Sequence, residues 1–219
     1  MNFWRPLCNN SGMKLLYTER SPFARKVRMA AQHHDLLNRI ELVDTWPADR
    51  GAELMDHNPL GKIPVLILNN DRSIIDSPVI AQYFDAIGGA DKLIPADALQ
   101  RTHIHHLEAL ADGALDAAVL VVLETWRPEE KRWQGQVEKQ LDNLRRTLVF
   151  LEKHADFFNL PFSVAHLSAG AMIAYIYGRL PAIGIEEDWL KDAPQLAMWY
   201  DHFRLNPLML ETAPKGGWK

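Results

Sequence analysis

The sequence predicts an α+β protein of two dissimilar parts, and three observations carry that expectation. Short apolar, strand-like runs alternate with helix-like segments from Met13 to Ile87. The strand signal then stops at Gly88-Gly89. Beyond Asp97 the apolar residues recur at helical spacing, as at Val137, Leu141, Leu144, Leu148 and Leu151. The change near residue 90 reads as a domain boundary. Residues 1–12 are then an N-terminal arm open to disorder, 13–88 a mixed domain, 89–97 a linker and 98–219 an all-helical domain.

The elements follow in order. Lys14–Tyr17 is a short strand, ended by the polar Thr18-Glu19-Arg20. Ser21-Pro22 opens a helix, since serine is a preferred N-cap and proline suits the first helical position. Ile40–Val43 is a second strand and Gly51–Asp56 a short helix. Pro59-Leu60-Gly61-Lys62 reads as a turn, Ile63–Leu68 as a third strand, Asn69-Asn70-Asp71 as a hairpin turn and Ser73–Ile75 as a fourth strand. Asp76-Ser77-Pro78 opens the helix Val79–Ile87. The order β-α-β-α-β-β-α fits the thioredoxin-like topology. Four helical stretches follow, Ala98–Glu124 with Asp97 as its cap, Glu129–His154, Ser163–Leu180 and Gln195–Leu205, then a short turn after Pro207.

Composition narrows the function classes. The chain has 219 residues, a formal net charge of −4 and one cysteine, Cys8. A single cysteine excludes an internal disulfide framework and a cysteine zinc cage. Its place in the opening arm puts it outside the expected fold, a tethered reactive thiol being the alternative. The scattered basic residues leave no footprint for nucleic acid, and no apolar run has membrane-helix length. The start lacks a basic segment followed by an apolar core, so no secretory signal is expected and a cytoplasmic protein is the plain reading.

Three segments carry chemistry. Two Ser-Pro pairs, at Ser21 and Ser77, each follow a strand and open a helix, whose free N–H groups and dipole favour an anion. Between them Pro64 opens an apolar strand, which requires either a cis bond or an edge position in trans. A cis Ile63–Pro64 bond would turn the Ile63 amide and carbonyl outward, where an extended peptide could pair with them.

Taken together, Ser21-Pro22-Phe23-Ala24-Arg25-Lys26-Val27-Arg28, Asn58-Pro59-Leu60-Gly61-Lys62-Ile63-Pro64-Val65-Leu66 and Asp76-Ser77-Pro78-Val79-Ile80-Ala81-Gln82-Tyr83 resemble the cytosolic glutathione S-transferase family. The likeness runs from Met13 to about Pro214. The helical segment Glu108–Ala117 further resembles a bacterial YibF-like subgroup. The resemblance implies the family's fold, with glutathione as co-substrate, a small electrophile as second substrate, no metal, a homodimer and a role in detoxification. Ser21 would donate a hydrogen bond to the glutathione thiolate, lowering a thiol pKa that starts near about 8.5. Ile63, before the family's cis-proline Pro64, would pair with the cysteinyl backbone. Asp76 would accept the γ-glutamyl ammonium, and Ser77 with its helix start would hold the γ-glutamyl carboxylate. Thr18 is a second hydroxyl for the sulfur. Arg50 and His57 are candidates for the glycyl carboxylate. Asp112, on a helix that borders the cleft in the resembling subgroup, is a second-substrate candidate.

Two departures from the family pattern stand out. Serine rather than cysteine at position 21 rules out a mixed disulfide there, and with it thiol-reductase chemistry at that residue. The capping box of the buried helix reads Ser163-Val164-Ala165-His166 where an acidic fourth residue is usual. Loss of the acidic return bond is expected to cost about 1 kcal/mol or less.

Other residues have blander readings. His103, His105 and His106 suggest a metal, yet no further ligand stands at a fitting spacing, so surface or interface histidines are expected. Asp112, Asp116 and Glu108 lie a turn apart and could act as acid and base, or form a solvated, salt-bridged face. Arg25, Lys26 and Arg28 read as a solvated helix face, and Trp126, Trp133, Trp189, Trp199 and Trp218 mostly as core or interface aromatics. The rival functions are a non-enzymatic interaction module on the same fold, or a glutathione-dependent isomerase, dehalogenase or peroxidase.

Overall fold

The structure, a computed structural model, describes residues 12–217. The expectations for the arm up to Ser11, including Cys8, and for Trp218 lie outside the described residues. The chain divides into two compact units between Asp91 and Lys92.

In the first unit the strands β1 (Met13–Tyr17), β2 (Ile40–Asp44), β3 (Val65–Ile67) and β4 (Ser73–Ile74) form one sheet in the order β2-β1-β3-β4. Its helices are α1 (Pro22–His33), α2 (Ala52–His57) and α3 (Ser77–Ile87). β2 runs parallel to β1, which requires the crossover that α1 supplies. β3 is antiparallel to β1, and β4 to β3. Leu15, Leu16, Val65 and Leu66 are all fully buried, so consecutive residues of the central strands are covered on both faces. The third strand is shorter than Ile63–Leu68, because the ladder begins only at Val65, after the cis Ile63–Pro64 bond. α3 starts at Ser77, two residues before the expected Val79; Pro78 sits in its first turn, where its missing N–H costs nothing.

The second unit contains α4 (Ala98–Thr125), α5 (Gln134–Glu152), α6 (Val164–Arg179), α7 (Pro194–Phe203) and α8 (Pro207–Glu211). α6 forms its core: every residue from Val164 to Ile176 is buried. α4 packs against both α5 and α6. Gly170 permits a close approach of α7, since a Cβ there would overlap the Phe203 ring. Asp97 caps α4 as expected, with Gln100 N–H donating to its Oδ1 at 2.9 Å. Among the described residues no helix is long and apolar enough to cross a membrane.

Four expectations are corrected. Glu129–Lys131 is a separate 3-10 turn, and α5 begins only at Gln134. Arg132 explains the delay: its guanidinium donates to Thr125 O at 2.8 Å and Arg127 O at 3.0 Å, closing the end of α4. Trp133 N–H meanwhile donates to Glu124 Oε1 at 2.8 Å. Second, Arg25, Lys26 and Arg28 are buried, not solvated. The Arg28 guanidinium lies 5.3 Å from the centre of the Tyr17 ring, and burial holds its pKa below the ordinary arginine value. Third, Trp126 and Trp133 are exposed, which excludes the core reading for these two and leaves the interface one; Trp189 is buried and Trp199 half-buried. Fourth, the return bond of the α6 capping box is not lost. Ser163 N–H donates to His166 Nδ1 at 3.2 Å. A neutral imidazole nitrogen accepts there as a carboxylate would. Burial pushes the pKa of His166 down to about 4.

The other histidines are engaged locally. His105 Nδ1 lies 2.8 Å from Oε2 of the buried Glu108, while His103 and His106 edge onto Phe157 and Phe150. Glu108 is therefore paired rather than solvated; Asp112 is half-buried and Asp116 exposed. Among the described residues no group of three or more His, Cys, Asp or Glu side chains could hold a metal ion.

Candidate active site

Strand register brings the three motifs to one end of the sheet. Leu16 pairs with Val65, so Tyr17 and Thr18 run on past β1 beside Pro64 and Ile63. Leu66 pairs with Ile74, so Ile75 and Asp76 leave β4 beside Val65 and Pro64. The Ile63 and Ile75 side chains both pack on the cluster of Leu16, Leu54, Val65 and Ile67. Burial of these two isoleucines anchors the residues next to them. Because the ladder stops at Val65, the backbone N–H and C=O of Ile63 lie beyond it. The Ile63–Pro64 bond is cis, the alternative that spacing alone left open; Ile75–Asp76 is cis as well.

Two helix starts face the same end of the sheet in sequence. Ser21 is the N-cap of α1, and its N–H donates to Thr18 O at 3.1 Å, which closes the turn after β1. Ala24 N–H donates to Ser21 Oγ at 3.2 Å. Ser21 is half-buried, so its own O–H hydrogen remains available to an acceptor outside the helix. Asp76 is the N-cap of α3 by backbone alone: Ile80 N–H donates to its carbonyl at 3.0 Å, and its carboxylate makes no cap bond. The residue is exposed. Ser77 is buried directly behind it. With Pro78 lacking an N–H, the first turn of α3 presents the Ser77 and Val79 amides to an anion.

This arrangement can bind a short extended peptide. It offers a backbone edge at Ile63, a carboxylate for an ammonium at Asp76, a helix start for a carboxylate at Ser77 and a hydroxyl at Ser21. Residues 20–87 match the family described as glutathione S-transferase, N-terminal domain, and residues 134–202 its C-terminal domain. The chain belongs to the glutathione S-transferase family. A glutathione transferase family member from Pseudomonas fluorescens Pf-5, solved with bound glutathione, superposes with a TM-score of 0.86. It is 37% identical, over 93% of this chain and 99% of that one. A glutathione S-transferase from Methylobacillus flagellatus KT, also with glutathione bound, gives 0.84 at 38% identity, over 93% of this chain and all of the other (100%). Among curated proteins, the uncharacterized GST-like protein YibF of Escherichia coli K12 is 29% identical over 92% of this chain and 98% of its own length.

The remaining candidates are described by their own neighbours. Arg50 is exposed, in a left-handed conformation (φ +46°) on the β2–α2 connection. His57, at the end of α2, is turned to the β3–β4 hairpin: its Nδ1 is 2.7 Å from Ser73 Oγ and its Nε2 3.8 Å from Asp71 Oδ1. Thr18 is half-buried, at the turn that holds Ser21. Asp112 lies on α4, in the helical unit.

Sequence reasoning passed over Asn58, quoted only as part of a motif. Its side chain is buried and bonds both ways across the turn that leads to Ile63. An asparagine three residues before a glycine was the available signal, since Asx side chains commonly hold turns of this kind.

Proposed function

We propose that the chain is a glutathione transferase that binds glutathione along the sheet end and activates its thiol through Ser21. The observation that supports this reading is the register, which runs the segments bearing Ser21, Ile63-Pro64 and Asp76-Ser77 on from β1, β3 and β4 at the same end of the sheet. The Ile63 backbone pairs with the cysteinyl residue, Asp76 accepts the γ-glutamyl ammonium, and the α3 start with Ser77 holds the γ-glutamyl carboxylate. The Ser21 hydroxyl donates to the sulfur. As an N-cap its oxygen already accepts from Ala24 N–H, which biases the hydroxyl toward donating outward. A hydrogen bond to a charged sulfur is worth about 1.5–3 kcal/mol, or roughly one to two pKa units. The thiolate so favoured attacks a small electrophile, forming a carbon–sulfur bond as the leaving group departs or the acceptor takes up a proton. Family membership supports the remaining parts of the reading: a cytoplasmic homodimer with a role in detoxification.

Calorimetry of glutathione binding to the wild type and to Ser77→Ala tests it. Micromolar to low-millimolar binding that weakens markedly in the variant is the expected result. No heat and no thermal shift at about 10 mM glutathione, above that range, would sink the enzyme reading and leave a binding module. Sedimentation velocity reads the oligomeric state directly.

A further inference from the structure

The loop before Ile63 is built around one side chain. Asn58 follows α2 and closes it, its N–H donating to Leu54 O at 2.8 Å. Its own carbonyl accepts from Gly61 N–H at 2.8 Å. Its buried side chain then bridges the turn: Leu60 N–H donates to Oδ1 at 3.0 Å, and Nδ2 donates to Lys62 O at 2.7 Å. Gly61 takes the left-handed conformation (φ +62°) that this tight path requires, and a Cβ there would stand 3.2 Å from Met55 Sδ.

The last of these bonds matters most, because the Lys62 carbonyl and the Ile63 N–H belong to one peptide unit. That unit is trans and planar, so its C=O and N–H point in opposite directions. Holding the Lys62 oxygen toward Asn58 therefore turns the Ile63 N–H away from the turn. We infer that Asn58 is a positioning residue for glutathione, presetting the Lys62–Ile63 peptide so that the Ile63 backbone can pair with the tripeptide. This rests on the transferase reading above. Asn58 touches no reacting atom; it removes the ordering cost that a free Lys62–Ile63 peptide would charge to every binding event.

Two substitutions separate positioning from plain stability. Asn58→Ala removes both side-chain bonds. Asn58→Asp keeps the acceptor for Leu60 N–H but sets an oxygen against the Lys62 carbonyl, so it attacks the peptide orientation alone. Each is expected to raise the glutathione Kd roughly tenfold or more, the loss of about one buried hydrogen bond. KM for glutathione rises alongside while kcat stays near wild type. The pH profile of kcat, set by the Ser21 contact to the bound thiol, does not move. The Ile63 amide resonance shifts in the free protein.

Folded variants whose Kd stays within about twofold of a glutathione-binding wild type overturn the positioning role and leave the transferase reading standing. A moved kcat pH profile also overturns it, because the effect would then reach the sulfur. Failure of the wild type to bind overturns the transferase reading first. If Asn58→Ala does not fold, the wild type still decides: the Asn58 side-chain amide protons must exchange slowly before and after glutathione is added, and fast exchange overturns the proposal.

Discussion

Ser21 and Ser163 occupy the same position, the N-cap of a helix, in the two units of the chain. Ser21 stands half-buried after β1 and accepts from Ala24 N–H. Ser163 is buried, its Oγ 2.9 Å from His166 Nδ1, and its backbone N–H is returned by the same nitrogen. His166 in turn lies among Phe157, Phe158, Phe162 and Trp199, with ring centres 4.8 to 5.9 Å away. A serine cap thus holds a helix start in both places. Whether it can also serve a ligand depends on whether its hydroxyl hydrogen is spent inside the protein.

Breaking the closed cap should have the largest effect. His166→Ala removes the return bond and empties a ring-sized space among aromatic side chains. It should destabilise the protein by about 2–4 kcal/mol in urea unfolding. Glutathione affinity of the fraction that stays folded should be unchanged; a weakened Kd would contradict the division of roles.

Protonation tests the same cap without mutation. The pKa of His166 is depressed in the fold to about 4, against an ordinary value of 6.5. Between these values the unfolded chain binds the proton and the folded protein does not. Stability from this residue is therefore complete above pH 6.5 and is lost as pH falls toward 4, by an amount on the order of 3 kcal/mol. Unfolding free energies measured from pH 7 to pH 4 should show this loss, and a His166→Phe variant should flatten it. An equal slope in that variant would assign the loss to other groups.

The open cap predicts a change in chemistry larger than its change in stability. Ser21→Ala should raise the pKa of bound glutathione by about one to two units, read from thiolate absorbance, and lower the rate at neutral pH by about ten- to a hundredfold. Its loss of stability should be only about 1 kcal/mol. The smallest effect is expected at Asp97, the exposed cap of α4. Asp97→Ala should cost about 0.5–1 kcal/mol, with glutathione affinity and thiol pKa untouched.

These caps also show how far the chain could be read before its structure. Ser21-Pro22 and Asp97 were legible because capping depends on neighbours in sequence. Ser163 was legible as a cap, but its partner was not. The usual return group is a carboxylate, and a histidine replaces it only when neutral, a state set here by surrounding rings from other segments. The buried Arg25, Lys26 and Arg28 escaped for the same kind of reason: the ring under the Arg28 guanidinium comes from the neighbouring strand β1. The late start of α5 depends on Arg132 reaching back to the end of α4, a contact without periodicity.

By itself the sequence determined the order of elements, the switch from sheet to helices, the helix starts at Ser21 and near Ser77, and the three motifs of the family. All of these rest on residue type at short separation, where propensity, turn chemistry and periodicity act directly. The cis geometry of Ile63–Pro64, the neutral His166 and the meeting of Ser21, Ile63 and Asp76 at one sheet end were decided by the tertiary structure. The bridge from Asn58 to the Lys62 carbonyl spans only four residues and lay within reach of the sequence. The sheet-end arrangement depends on strand register and the neutral His166 on burial by rings from other segments, and burial is what sets the charge a group can carry.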